Sequence, residues 1–111
     1  MNVTHGVEVC DGDESYRHCL RHFLGRYQAR AAELQSLPAD RERIRELAHQ
    51  LKSTASYLGL ERVVAVAREA EMAVRSPDSV EVVQWRLHLA LIEALAAISA
   101  FLSHQSDGSP G

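Results

Sequence analysis

Residues 45–63 read RELAHQLKSTASYLGLERV. On a helical wheel turned roughly 100° per residue and centred on Leu51, the residues Ile44, Leu47, Ala48, Thr54, Ala55 and Leu58 fall within about 60° of that centre. His49 falls about 160° away, on the outer face. Its neighbours there are Glu42, Arg45, Glu46, Lys52, Ser53 and Ser56. An imidazole is therefore expected in water, with a lysine one turn on and two small hydroxyl residues beside it. Such a placement suits a histidine that another protein must reach.

The helical reading extends in both directions. Asp40 is the natural cap for this helix, and Gly59 suits the left-handed residue just past its end, with Leu60 making the accompanying hydrophobic contact. Upstream, Asp13 is the expected N-cap of a first long helix, with Glu14 in its first turn. Tyr16, Leu20, Phe23, Leu24, Tyr27, Ala31 and Leu34 form its apolar stripe, and Pro38 ends it or marks the linker after it. Val3 to Cys10 is read as a short extra helix packed across the bundle. Downstream, a helix from about Leu60 to Arg75 buries Val63, Val66, Ala67, Ala70 and Val74, and Ser76-Pro77 breaks it. Asp78 and Glu81 make a capping-box pair for a last helix reaching about His104. Its wide apolar face is Leu87, Leu91, Ala94, Leu95, Ile98, Phe101 and Leu102. Nothing alternates with the period of a strand. The expected fold class is all-α: an antiparallel up-and-down four-helix bundle over residues 1–104 with a short N-terminal helix, followed by a flexible polar tail over 105–111.

Bulk properties narrow the function. A chain of 111 residues is one domain by length. Three prolines and six glycines leave little room for a loop-rich or β-rich design. A net charge of −3 argues against non-specific nucleic-acid binding, which needs a concentrated basic face. Cys10 and Cys19 form neither a CxxC pair nor a disulfide framework, and are read as reduced thiols. The N-terminus lacks the basic start and apolar block of a signal peptide. The most apolar run, Leu87 to Leu102, is interrupted by His88, Glu93 and Ser99, short of the roughly 20 clean residues a membrane span requires, so no direct membrane contact is expected.

HQLKS followed by Gly59 resembles the signature of the histidine-containing phosphotransfer (HPt) domain family. There an exposed histidine is followed by lysine three residues later, usually by glycine four later, and by glycine ten later. Those places hold His49, Lys52, Ser53 and Gly59; Ser53 departs from the usual glycine but is still small. GDESYRHCLRHFLGRY, residues 12–27, is similar to the helix preceding the site, and VVAVAREAE, residues 63–71, to the helix after it. The resemblance covers roughly residues 5–104. It implies a phosphorelay module in which His49 carries a phosphoryl group between aspartates of response-regulator receiver domains. The divalent metal of that chemistry would belong to the receiver, with no cofactor in this chain. A monomer is expected, in the cytoplasm, either free or as the cytoplasmic end of a membrane-bound sensor kinase.

The residues themselves support this use. Imidazole has an ordinary pKa near 6.5, which leaves a neutral nucleophilic nitrogen at cellular pH. Lys52, one turn on, can serve a phosphorylated ring as a point charge. Ser53 and Ser56 would let a partner approach, while Glu42, Arg45 and Glu46 form the rim. No glycine-rich phosphate loop, GxSxG elbow or HExxH helix is present, so the chain is read as a carrier, not an enzyme. A rival from another class is a helical interaction or dimerisation module that never carries phosphate, with His49 incidental and the wide apolar last helix as its interface. A third and weaker reading takes His18 and His22, an i, i+4 pair, as metal ligands, although no further ligands stand at a recognisable spacing. His5, His88 and His104 carry no identifiable signal.

Overall fold

The computed structural model describes residues 1–36, 40–73 and 80–107. Five helices follow in order: α1 (Val3–Val9), α2 (Asp13–Ser36), α3 (Arg41–Leu58), α4 (Glu61–Ala73) and α5 (Val80–Asp107), with no strand among the described residues. The four long helices form the antiparallel up-and-down bundle. Their apolar stripes meet in one core, with Tyr16, Leu20, Phe23 and Tyr27 from α2 and Leu51 and Leu58 from α3 all fully buried. Leu87, Leu91 and Ile98 supply the α5 wall. Leu24, Val66, Phe101 and Leu102, placed on the apolar faces by periodicity, are half-buried at the margin.

The packing is uneven around the ring. α3 lies along α4, α4 along α5 and α5 along α2, whereas α2–α3 and α3–α5 touch little. Buried Ala48, Ala55, Ala67 and Ala70 have almost no side chain to hold α3 and α4 apart, so those two axes come close. α1 covers the gap between α2 and α3. Its Gly6 sits directly on the Tyr16 ring, where an added Cβ would come within 2.1 Å of an aromatic carbon. Tyr16 in turn donates its hydroxyl to the Leu58 carbonyl at 2.9 Å, tying α2 to the end of α3.

Several boundaries move from expectation. The N-terminal helix ends at Val9 rather than Cys10. Asp13 is the first residue of α2 rather than its cap, because the Gly12 carbonyl accepts the Tyr16 N–H at 3.0 Å. α5 runs three residues past His104, to Asp107. Residues 108–111 of the expected tail lie outside the described residues, as do Pro38, Val74, Arg75, Ser76-Pro77 and Asp78.

One expectation needs a larger correction. Val80–Ser103 of α5 is long and apolar enough, by length and composition, to cross a membrane, with a mean hydropathy of 1.5. Interruptions at His88, Glu93 and Ser99 do not lower that average enough. The cause is that α5 is apolar on two faces, of which the bundle buries only one.

Candidate functional site

α3 is anchored at both ends by the residues read as its caps. The Asp40 carboxylate accepts the N–H groups of Glu42 at 3.1 Å and Arg43 at 3.4 Å. At the other end Gly59 has φ 77°, and Leu60 N–H donates to the Ala55 carbonyl at 2.9 Å while Gly59 N–H donates to Ser56 at 3.4 Å. Glycine is required there twice over. The backbone is left-handed, and an added Cβ would lie 2.1 Å from the Asn2 carbonyl oxygen, because α1 begins against this turn. Asn2 N–H donates to the Gly59 carbonyl at 2.7 Å, and its side chain donates to Glu61 at 3.0 Å. The turn so fixed sends α4 back along α3 and sets their register. His49 and Glu71 stand equally far in sequence from Leu60, on opposite sides, and the antiparallel return brings them together.

The side chains then form a bridged trio. His49 is 69% exposed, and its Nδ1 lies 3.1 Å from Glu71 Oε1. Lys52 Nζ donates to the other carboxylate oxygen, Glu71 Oε2, at 2.9 Å. Glu71 itself is only 17% exposed, wedged between the two helices. The Lys52 hydrogen bond, reinforced by that from His49, holds the Glu71 carboxyl below its ordinary range, although partial burial pushes the other way. An ionised carboxylate has no proton to give, so a neutral His49 ring must donate Nδ1–H to it. The lone pair is then on Nε2, at the far side of an exposed ring. A nucleophilic nitrogen is thereby fixed in tautomer and direction by an anion behind it.

The expected docking residues share this face. Glu42, Arg45, Glu46, Ser53 and Ser56 are all exposed on α3. Arg45 is ion-paired to Glu42 within the rim. Lys52 is 30% exposed and committed to Glu71 in this state, so it reaches the ring through the shared carboxylate. His5, to which no role was attached, bonds through Nε2 to the Ser56 carbonyl at 3.0 Å, so α1 borders the far end of the face.

Glu71 is the residue that sequence reading missed. It lies next to Ala70 and one turn beyond Ala67 on the buried stripe of α4, which places a carboxylate at the margin of the core on the α3 side. His88 was also passed over and proves structural. It is buried, with Nδ1 2.9 Å from the Ala31 carbonyl and its ring stacked under Trp85 at 5.5 Å. His18 and His22 are exposed on α2 and line a shallow depression with Tyr57 of α3. Among the described residues, no three histidine, cysteine or acidic side chains gather as a metal site. Cys10 and Cys19 are free thiols that touch one another; burial, with the neighbouring Cys19, pushes Cys10 up to about 11.

Comparison with known proteins gives one result that bears on this geometry. The family model described as Hpt domain matches residues 18–101, a span that contains α3, α4 and the His49–Lys52–Glu71 trio. No curated protein and no solved structure matches the chain.

Proposed function

Since the chain belongs to the Hpt domain family, a family of phosphocarrier modules in histidine phosphorelays, we propose that His49 is its carrier residue. The observation that supports this is the exposed ring whose Nδ1 rests on the Glu71 carboxylate. In the proposed step, Nε2 attacks the phosphorus of a receiver's aspartyl phosphate. The N–P bond forms, the acyl P–O bond breaks, and the aspartate leaves as its carboxylate. The ring keeps Nδ1–H and becomes formally positive, which the Glu71 carboxylate offsets at 3.1 Å. Lys52, on the other oxygen, keeps that carboxylate from facing the incoming phosphate as a bare negative charge. The transfer onward to a second receiver is the same step reversed. A divalent metal would be held by the receiver, and this chain would supply no cofactor.

In this reading the partner is a response-regulator receiver domain, which would cover Ser53 and Ser56 and meet Glu42, Arg45 and Glu46 at the rim. A cytoplasmic setting follows from those partners. The test is transfer from a phosphorylated receiver. Acid-labile, base-stable label should appear on the domain and be absent from His49→Gln. Label that persists in that variant would remove His49 from the role.

A further inference from the structure

The outer face of α5 carries a second apolar stripe that the core does not use. Val82, Trp85, Leu89, Ile92, Ala96 and Ser99 are all exposed. They succeed one another at alternating steps of three and four residues, the spacing of a two-helix seam. On the wheel this stripe lies about 150° from the centre of the buried face. It also faces away from His49, since α3 and α5 barely touch.

Two asymmetries make the stripe complementary to itself. The first is bulk. Val82 and Trp85 stand at one end, Ala96 and Ser99 at the other. Trp85 is 53% exposed, its indole lying over His88, whereas Ala96 borders a groove formed with Ile92, Ser99 and Ala31 of α2. Two copies running antiparallel, centred between Leu89 and Ile92, would seat Trp85 of each against Ala96 of the other. Val82 would then meet Ser99, and Leu89 would meet Ile92. A parallel pair would instead set Trp85 against Trp85 and leave Ala96 facing Ala96. The second asymmetry is charge. Arg86 and Glu93 flank the stripe on its α4 side, where they pair with Glu69 at 3.9 Å and Arg62 at 3.1 Å. The same antiparallel arrangement brings Arg86 of one copy to Glu93 of the other, joining opposite charges along the rim.

We propose that this chain forms an antiparallel homodimer through the outer face of α5. The seam from Val82 to Ser99 is about 26 Å long at 1.5 Å per residue. Both copies of His49 stay open, so two carrier sites would be held in one particle. The faces that bury Leu87, Leu91 and Ile98 take no part, which separates this dimer from one built on the wide apolar face. It also departs from the monomer expected on sequence.

Sedimentation equilibrium of the full chain, from low to high micromolar concentration, tests it. The expected mass is twice that of the chain at the upper end. Trp85 is the single tryptophan, so its emission should shift to the blue as the dimer forms. Leu89→Lys should give a monomer with unchanged helical circular dichroism. Arg86→Ala and Glu93→Ala should each weaken the dimer by about tenfold. A monomeric mass at every concentration, or a dimer that survives Leu89→Lys, overturns the proposal. Lipid vesicles of mixed neutral and anionic composition provide the last arm. Binding that shifts Trp85 emission in a chain that stays monomeric would assign the face to a membrane instead.

Discussion

On the α3–α4 side of the bundle a histidine ring stands in solvent with Nδ1 on a carboxylate. On the α2–α5 side another is buried with Nδ1 on a backbone carbonyl and an indole over its face. The two rings have the same chemistry and the same kind of anchor atom. A carbonyl satisfies the donor of a buried ring and does no more, and Trp85 closes the access a phosphoryl donor would need. A carboxylate satisfies the donor and also offsets positive charge on a ring that has been phosphorylated at Nε2. Exposure and the charge of the partner, not the presence of imidazole, separate the proposed carrier from the structural histidine.

Exchanging the two rings for alanine should produce the largest and most opposite effects. His88→Ala should cost about 2 kcal/mol in chemical denaturation, from the lost packing and hydrogen bond, yet leave phosphotransfer intact. His49→Ala should stay within about 0.5 kcal/mol of the parent stability and accept no phosphate. If the two variants behave alike in either assay, the contrast between the sides of the bundle fails.

Glu71→Gln sharpens the contrast by making the exposed ring's partner neutral, like that of His88. Phosphotransfer should slow by about ten- to a hundredfold, by analogy with removal of the outer partner of a metal-ligating histidine. The pH dependence of stability should change too. Glu71 has a folded pKa below its ordinary value of 4.5, so its contribution is fully present above that value and is lost as pH falls through the lowered one. The stability gap between parent and Glu71→Gln should therefore close on acidification below pH 4.5. A gap that is constant with pH would mean that the carboxylate's charge is not what Lys52 and His49 recognise.

Lys52→Ala should have the smallest effect. It leaves the His49–Glu71 contact in place, so transfer should slow only a few-fold, and stability should change by no more than about 0.5 kcal/mol. A loss as large as that of Glu71→Gln would instead put Lys52 directly on the phosphoryl group.

The legible parts of this molecule were those set by local chemistry. Asp40, Gly59 and the stripe from Ile44 to Leu58 define α3 within one stretch of sequence, and the same periodicity turns His49 outward. Glu71 was not legible in that way, because its role depends on the register between two helices. The signal lay in the turn: with Gly59 marked as the helix stop, residues equidistant from Leu60 are brought side by side. α5 was legible on its core face, where Leu87, Leu91 and Ile98 are buried as the wheel places them; its second apolar stripe went unread because the wheel was centred on the first. His88 was silent because the Ala31 carbonyl that accepts it comes from a distant helix.

The central claim is that Nε2 of His49 takes the phosphoryl group because Glu71 holds Nδ1–H. Nitrogen-resolved NMR of the domain, labelled with 15N and recorded before and after transfer from a phosphorylated receiver, tests this directly. Before transfer, the neutral ring should show its proton on Nδ1. After it, phosphorus coupling should appear on Nε2 of His49 while Nδ1 keeps its proton. Coupling on Nδ1, or a neutral ring protonated at Nε2, would contradict it.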